Sequence, residues 1–262
     1  MSYTQSQWLL FFFLYCFFGW IWESAFVSVQ KKRWVNRGFL RGPWLPIYGF
    51  GAIIILFLTI PVRNSIPLIY LLGMVGATVL EYVTGAVMER LFCMRYWDYS
   101  KQPLNVNGYI SLLSSLAWGA FSILLIKVLH PPIEKLILLI PSFLSGLISI
   151  VLVAVFMIDV TRSVQAALDL KEIMKRLMEN NTILEAIGEK AEEASREFSR
   201  YEIKWKTELQ EIRSAREKKD TGVILSIIKR NPTATSRYFR GVFEKARLQK
   251  DKLETELRAR KK

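Results

Sequence analysis

Over its first 160 residues, the chain alternates between long uncharged stretches and short charged ones. A transmembrane helix needs about 20 predominantly apolar residues to cross the hydrocarbon layer. Several of the uncharged stretches reach that length, and another is interrupted by a single carboxylate, Glu81. The pattern predicts five transmembrane helices, at 7–29, 46–62, 66–92, 108–129 and 135–159.

The orientation of these helices follows from the lysines and arginines in the short loops, since cytoplasmic loops carry an excess of them. The loops after the first and third spans contain 5 and 3 such residues, whereas those after the second and fourth contain 1 and 2. The first span has no positive charge before it, so we expect a retained helix rather than a signal peptide. We therefore predict a multi-pass protein of the cell membrane, with its N-terminus outside and its C-terminal tail in the cytoplasm.

Composition and charge divide the chain into two parts. The chain is 52% hydrophobic, yet its formal net charge is +13. Residues 1–160 contribute +5 and residues 161–262 contribute +8. This separation excludes a single soluble globular domain, a fully disordered chain and a disulfide scaffold. It predicts an all-α protein with a transmembrane helix bundle at 1–160 and a charged cytosolic helical tail at 161–262.

The tail carries its own apolar pattern. Between residues 170 and 212, apolar or small side chains recur at alternating spacings of three and four, which predicts a coiled coil continuous with the last span. We expect this seam to pair two copies of the chain or to bind a partner helix, and an intramolecular hairpin is the alternative. The many basic residues near the C-terminus suit an anionic lipid surface or a solvated helix face. The sequence contains no motif of the kind that reads nucleic-acid bases, so we do not expect a nucleic-acid partner.

Three carboxylates lie within the predicted spans or near their inner ends: Glu23, Glu81 and Glu89. Ionisable groups at such positions are costly and usually face the protein interior. Arginines near the same ends are candidate counter-charges, Arg41 and Arg95 among them. One hypothesis is a polar site in the inner half of the bilayer that binds an ion, a polar solute or a lipid head group. The alternative is a buried ion-pair network that fixes helix packing.

Small residues accompany these carboxylates on the predicted helices. Gly19 lies one turn before Glu23, and Gly85 lies one turn after Glu81, so each glycine shares a helix face with its carboxylate. Small residues allow transmembrane helices to approach closely. We therefore expect the first and third spans to pack together at Gly19 and Gly85.

Two loop segments are candidates to complete the polar site. Segment 41–51, which includes Tyr48, contains two prolines and three glycines. Irregular backbone at membrane depth is tolerated only where it is buried or lines a cavity. The segment is therefore a shaped or re-entrant entry to the second span, or else an interfacial turn. The third loop contributes Trp97 and Asp98, and interfacial preference explains the tryptophan but not the aspartate.

Catalysis has little support in the sequence. The only histidine, His130, precedes two prolines in a predicted outer loop, without an obvious partner. Cys16 and Cys93 are expected at different depths and form no predicted disulfide. Neither a metal-ligand spacing nor a nucleophile–base pair is apparent. We therefore predict that the protein is not an enzyme and that it needs no cofactor and no metal.

Four motifs that occur in order along residues 5–160 resemble a bacterial family, the CmpB-like family described as "Putative ABC-transporter type IV". The resemblance implies a permease-like membrane protein, and it does not extend to the tail. The chain contains no G-x-x-x-x-G-K-[ST] phosphate-binding loop, so an ATPase would be a separate subunit. The motifs are Gly19-Trp20 with Glu23, Arg41-Gly42-Pro43-x-x-Pro46-Ile47-Tyr48-Gly49-x-Gly51, Glu81-x-x-Thr84-Gly85-x-x-Met88-Glu89, and Trp97-Asp98-Tyr99-Ser100 with Asn105 and Gly108.

The sequence thus supports two functional hypotheses of different classes. The first is a transport component whose polar site includes the three carboxylates and the loop residues named above. The second is a membrane-anchored interaction protein that acts through its cytosolic coiled coil. A third and weaker possibility is a membrane enzyme or lipid-handling protein that uses the inner-leaflet acids.

Overall fold

The computed structural model describes residues 3–194, 227, 230–231 and 235–238, and from residue 177 to 194 it describes the backbone alone. Most of the described chain is helical, with one two-stranded hairpin in the loop between the second and third long helices. In chain order the elements are α1 (Gln5–Lys31), α2 (Pro46–Thr59) with a 3-10 turn (Ile60–Val62), α3 (Ile66–Phe92), β1 (Asn105–Val106), β2 (Ile110–Ser111), α4 (Leu112–Leu124) with a π-helical turn (Leu125–Leu129), α5 (His130–Leu138) and α6 (Ser142–Ala194).

Four stretches of helix in the described part of the chain are long and apolar enough to cross a membrane: Gln5–Lys31, Ile66–Phe92, Leu112–Leu138 and Ser142–Arg176. The predicted second span is a shorter apolar helix, Pro46–Val62. The 14 residues of α2 extend about 21 Å at about 1.5 Å per residue, less than the roughly 30 Å of hydrocarbon. The predicted all-α membrane fold is confirmed, with four long apolar helices and a shorter one where five spans were expected.

The loop after α1 folds back along the helix that precedes it. Lys32 ends α1 in the left-handed conformation, with φ of 49°. The backbone N–H of Val35 then donates to Ser28 Oγ at 2.9 Å, and that of Arg37 donates to Ser24 Oγ at 3.1 Å. These two bonds hold Arg37 beside the C-terminal part of α1, close to Glu23.

Two glycines bring α1 and α2 close together, and each one faces bulky side chains of the other helix. Gly19 of α1 lies against the ring of Tyr48, and Gly49 of α2 lies against Phe12 and Cys16. A Cβ at either position would overlap those atoms. The two helices therefore reach this separation only because both positions lack a side chain.

Gly19 of α1 and Gly85 of α3 do not form the contact between these two helices that we expected. The nearest side-chain atoms to Gly19 belong to Tyr48 of α2, and those to Gly85 belong to Tyr109 and Trp97 in the loop after α3. The prediction that the first and third spans pack at these two glycines was wrong. Helical periodicity shows which face a glycine occupies, but not which neighbour fills the space beside it.

The fourth span is longer than predicted, because the helix continues through two prolines to Leu138. Pro131 and Pro132 begin α5, but they lie in the interior of the continuous helix Leu112–Leu138, where each proline removes a backbone hydrogen bond. The π-helical turn Leu125–Leu129 comes directly before them. Such a turn changes the hydrogen-bond spacing within a helix, so the chain continues as one rod where a loop was expected.

This extension corrects two further predictions. The last span begins at Ser142 rather than at residue 135. His130 lies at the start of α5 and is 5% exposed, so its predicted place in an outer loop without a partner was wrong. A histidine followed by two prolines is typical of a loop, whereas here His130 packs against Phe11 and Tyr15 of α1 and against Tyr3.

Helix α6 confirms that the last span runs on into the tail, since it continues for 53 residues from Ser142 to Ala194. The chain divides into two compact units: Met1–Leu91 with Arg95–Val164, and Phe92–Met94 with Gln165–Lys262. The division into domains at residue 160 stays a prediction. The predicted seam at 170–212 and the basic C-terminal helix lie largely outside the described residues.

Candidate functional site

Glu81 is a buried carboxylate of the first unit. It lies in the middle of α3 and is 5% exposed. The hydroxyl of Tyr99 donates to its Oε1 at 2.9 Å, and the indole Nε1 of Trp118 donates to its Oε2 at 3.2 Å. Both carboxylate oxygens therefore have hydrogen-bond donors, and both of these donors are neutral groups.

Glu23 of α1 makes contacts of a different kind. Its Oε1 accepts a hydrogen bond from the Tyr48 hydroxyl at 2.8 Å, and its Oε2 lies 3.8 Å from Arg37 Nε. About 31% of its side chain is exposed, against 13% for Arg37. Burial lowers the pKa of Arg37, and the charge of Glu23 opposes that shift. Glu23 therefore has a cationic partner and partial contact with the surroundings, whereas the described residues include no ion pair to Glu81.

Aromatic side chains connect the two carboxylates. The Tyr48 ring packs against Trp118, with 5.7 Å between ring centroids. Tyr48 donates to Glu23 and Trp118 donates to Glu81, so each ring binds one carboxylate and contacts the other ring. We call Glu23, Tyr48, Glu81, Tyr99 and Trp118 the Glu23–Glu81 site.

Tyr99 brings the loop after α3 into this site. Burial raises the pKa of Tyr99, and the neighbouring Glu81 carboxylate raises it further. The hydroxyl therefore keeps its proton near neutral pH and remains a donor to Glu81. The Glu23–Glu81 site thus contains residues from α1, α2, α3, the following loop and α4.

Glu89 and Arg95 form a separate buried ion pair. Arg95 Nε donates to Glu89 Oε2 at 2.6 Å, and their side chains are 1% and 6% exposed respectively. Arg95 Nη2 donates to the backbone oxygen of Asn107 at 2.8 Å, and the guanidinium lies 4.8 Å from the centre of the Tyr109 ring. The pair therefore attaches the hairpin loop to the last turn of α3.

Asp98 completes this second cluster. Arg95 Nη1 donates to its Oδ1 at 3.3 Å, and the backbone N–H of Ser100 donates to the same oxygen at 3.0 Å. Partial burial favours the protonated acid, but the hydrogen bonds from Ser100 and the charge of Arg95 outweigh it and lower the pKa of Asp98. Arg95 thus lies between two carboxylates, and we call Glu89, Arg95, Asp98, Ser100 and Asn107 the loop clamp.

The conformation of the hairpin depends on this clamp. Gly108 has φ of +74°, a left-handed conformation that favours glycine. Atoms of Arg95, Asp98 and Ser100 occupy the space that a Cβ at this position would need. Trp97 Nε1 donates to the backbone oxygen of Tyr109 at 2.8 Å, which closes the loop from its other side.

Arg41 enters the structure through its backbone rather than its side chain. Its side chain is exposed, and its backbone N–H donates to Asp159 Oδ1 at 3.2 Å. The backbone N–H of Gly42 donates to Asp159 Oδ2 at 2.8 Å. Asp159 of α6 therefore anchors the start of the loop that leads to α2.

The sequence-predicted site residues thus fall in three places. Glu23, Tyr48 and Glu81 come together in the Glu23–Glu81 site. The loop clamp contains Glu89, Arg95 and Asp98, with Trp97 close by, and Arg41 lies at the Asp159 anchor.

Sequence reasoning missed Tyr99, Trp118 and Asp159. Tyr99 directly follows Trp97 and Asp98, and that adjacency was the available signal for it. Asp159 is a carboxylate at the end of a predicted span, and that position was the available signal for it. Trp118 had none, because a tryptophan within an apolar run is ordinary in a transmembrane helix.

Fold and site together define a helical membrane protein with buried carboxylates between its apolar helices. Within that class, the chain belongs to the family described as "Putative ABC-transporter type IV", whose model matches residues 10–164. The matched region includes the Glu23–Glu81 site, the loop clamp and Asp159. Comparison with curated proteins found no match, and neither did comparison with solved structures.

Proposed function

We propose that this chain is a permease-like component of a membrane transporter and that the Glu23–Glu81 site binds a cationic solute. In the proposed orientation the N-terminus is outside, which puts this site in the inner half of the bilayer. The loop arginines and lysines support that orientation. Membership of a transporter family supports the general class of function.

The observation that carries the proposal is the environment of Glu81. Its carboxylate is 5% exposed, and its hydrogen bonds come from the neutral side chains of Tyr99, Trp118 and Ser114. Buried charges are normally paired with an opposite charge. Glu81 has hydrogen-bond donors, but no ion pair links it to a cationic side chain among the described residues. Such a carboxylate is suited to receive its counter-charge from a solute.

The competing explanation is that the Glu23–Glu81 site only stabilises helix packing. The loop clamp shows what such a structural cluster looks like here, since the charge of Arg95 is matched by Glu89 and Asp98. Glu23 has Arg37 beside it, whereas the acceptor capacity of Glu81 is met by neutral hydroxyl and indole groups. This difference favours a binding role at Glu81.

Replacement of Glu81 by glutamine separates binding from packing. We expect Glu81→Gln to fold, because an amide oxygen still accepts from Tyr99 or Trp118, but to lose cation binding. The measurement is the Tm of the full-length protein in lipid nanodiscs, titrated with sodium, potassium or choline chloride at constant ionic strength. A cation at about 100 times its Kd stabilises the native state by about 2.7 kcal/mol. The corresponding rise in Tm is expected in the native protein and should be absent in Glu81→Gln.

Glu172→Gln is the matched control, because it removes one negative charge from an exposed i,i+4 pair with Arg176. Its cation-dependent Tm shift is expected to equal that of the native protein. A Glu81→Gln variant with a lower basal Tm and an unchanged cation shift would show a purely structural role. Absence of any cation shift in the native protein would also contradict the proposal.

We also propose that a separate chain supplies ATP hydrolysis. The 262 residues contain no G-x-x-x-x-G-K-[ST] motif, which is the loop that cradles phosphates in ATPases of that type. Purification from native membranes in mild detergent is expected to retain a P-loop ATPase in stoichiometric amount. ATP hydrolysis by the purified chain alone would contradict this assignment.

A scaffold function is the second candidate, and the length of α6 favours it. The helix continues to Ala194, well beyond its membrane-compatible part, which ends at Arg176. Deletion of 165–262 distinguishes the two functions. A transport component should keep its cation-dependent Tm shift without the tail, whereas an interaction protein should lose its partners.

A further inference from the structure

A second buried polar cluster lies away from the Glu23–Glu81 site, at the end of the bundle where α1 begins. At its centre is His130 at the start of α5, 5% exposed. The hydroxyl of Tyr15 lies 2.8 Å from His130 Nδ1, and that of Tyr3 lies 3.3 Å from Nε2. Tyr3 in turn donates to Glu134 Oε1. The four side chains form one unbroken hydrogen-bonded chain.

The donors and acceptors in this chain fix the position of each proton. Since the Tyr3 hydrogen is directed to Glu134, the Tyr3 oxygen acts as the acceptor for His130 Nε2–H. A neutral imidazole carries one N–H and one acceptor nitrogen. His130 Nδ1 is then the acceptor, and the Tyr15 hydroxyl donates to it. The three hydrogen bonds therefore run in one direction: buried Tyr15 donates to His130, His130 donates to Tyr3, and Tyr3 donates to half-buried Glu134.

The surroundings of the cluster are aromatic, with few other charges. Tyr3 and Phe11 lie with ring centroids 6.2 Å and 5.0 Å from that of His130. The cation that acts on Tyr3 is Arg63, which follows the 3-10 turn. The backbone oxygen of Arg63 accepts a hydrogen bond from Lys127 Nζ at 2.7 Å. Burial raises the pKa of Tyr3, and the hydrogen bond to Glu134 raises it further, so Tyr3 keeps its proton. Glu134 therefore accepts the hydrogen bond at the end of the relay.

We propose that Tyr15, His130, Tyr3 and Glu134 form a proton-binding relay, in which Glu134 takes up one proton and His130 changes tautomer in response. The ligand of this site is a proton, delivered by hydronium or by a buried acid. This inference goes beyond the proposed transport function, because none of the four residues belongs to the Glu23–Glu81 site.

The proton balance of the relay is simple. A proton that arrives at the Tyr15 oxygen displaces the Tyr15 hydrogen to His130 Nδ1. The hydrogen on Nε2 passes to the Tyr3 oxygen, and the Tyr3 hydrogen passes to Glu134. The net result is one proton gained by the cluster, a neutral Glu134 carboxyl, and His130 with its proton on Nδ1 instead of Nε2.

Both states keep His130 neutral, which avoids a charge at a buried position. In the protonated state each hydrogen bond reverses: Glu134 donates to Tyr3, Tyr3 donates to Nε2, and Nδ1–H donates to Tyr15. The tautomer of His130 thus reports the charge of Glu134.

Nitrogen NMR tests the relay directly, because the chain contains a single histidine. Full-length protein labelled with [15N]histidine in lipid bilayers gives the signals of one imidazole. At neutral pH we expect a proton on Nε2 and an acceptor at Nδ1. As the pH falls, the two nitrogens should exchange roles. The pH midpoint of this NMR change should equal the pH midpoint at which the infrared band of the protonated Glu134 carboxyl appears.

Variants keep the test decisive. In Glu134→Gln the pH-dependent exchange of roles should disappear, and in Tyr3→Phe it should be uncoupled from the Glu134 carboxyl band. Tyr70→Phe is the matched control, since it removes a hydroxyl that donates to the Leu116 backbone elsewhere, and it should behave like the native protein. An imidazolium with both nitrogens protonated, or a tautomer that stays fixed while Glu134 titrates, would overturn the proposal. Neither result depends on whether cations bind at Glu81.

Discussion

Replacement of Arg95 by glutamine is expected to lower the free energy of unfolding by about 3–5 kcal/mol, because it leaves Glu89 buried without its cation. Arg95 Nε and Glu89 Oε2 are 2.6 Å apart, and the two side chains are 1% and 6% exposed. The same substitution removes the hydrogen bonds from Arg95 to Asp98 and to the Asn107 backbone. Thermal unfolding of the full-length protein in detergent should show a large fall in Tm.

Two comparisons identify the cause of that loss. Arg90→Gln removes the same charge from an exposed position near the end of α3, and its Tm should stay close to that of the native protein. Adding Glu89→Gln to Arg95→Gln should recover part of the loss, because the unpaired buried charge is then gone. If Arg90→Gln and Arg95→Gln are equally stable, the loop clamp does not stabilise the fold.

An alanine at position 49 is expected to have the second large effect, a loss of about 1–3 kcal/mol from overpacking. The added Cβ would lie 2.8 Å from two ring atoms of Phe12 and would also overlap Cys16 Sγ. α1 and α2 would have to separate. Because Tyr48 follows the movement of α2, its bond to Glu23 should lengthen, so both the Tm and the cation-dependent shift should fall.

Gly146→Ala provides the control for this second substitution. Gly146 also lies in a helix, but apart from the adjacent backbone of that helix no atom would lie within 4 Å of its added Cβ. Alanine favours helix over glycine by up to about 1 kcal/mol, so this variant should be as stable as the native protein or slightly more so. A Gly49→Ala variant with unchanged Tm would show that α1 and α2 are not closely packed there.

Much of the fold follows from hydrophobic length alone. The bounds predicted for the third span, 66–92, are those of α3 (Ile66–Phe92), because charged or turn-forming residues border its apolar stretch. The entry to the second span at Pro46 was also correct, since a proline suits the first turn of a helix. In both cases the boundary depends on local chemistry, which a sequence displays.

The site could be predicted only in part. A carboxylate within an apolar stretch signals a polar site wherever it occurs, so Glu23 and Glu81 were identifiable. Their partners were not, because Tyr99 and Trp118 reach Glu81 through the folding of a loop and the packing of another helix. The separation of Glu89 and Arg95 from Glu81 likewise depends on how the hairpin returns to α3. Helical periodicity shows which face of a helix a carboxylate occupies, but not which residues become its partners.

The π-helical turn at Leu125–Leu129 makes the length of its helix as important as its composition. In a regular α-helix, each residue turns by about 100°, so Trp118 and His130 would point about 120° apart. A π turn takes up one additional residue, which reduces that angle to about 20° and directs both side chains into the bundle. Removal of one residue from this turn would give a regular helix in which the two side chains are still about 20° apart, since 11 steps of about 100° separate them. A regular helix of the present length would instead rotate His130 away from Tyr15. A relative of this chain with a regular α-helix between these two positions should therefore be one residue shorter there.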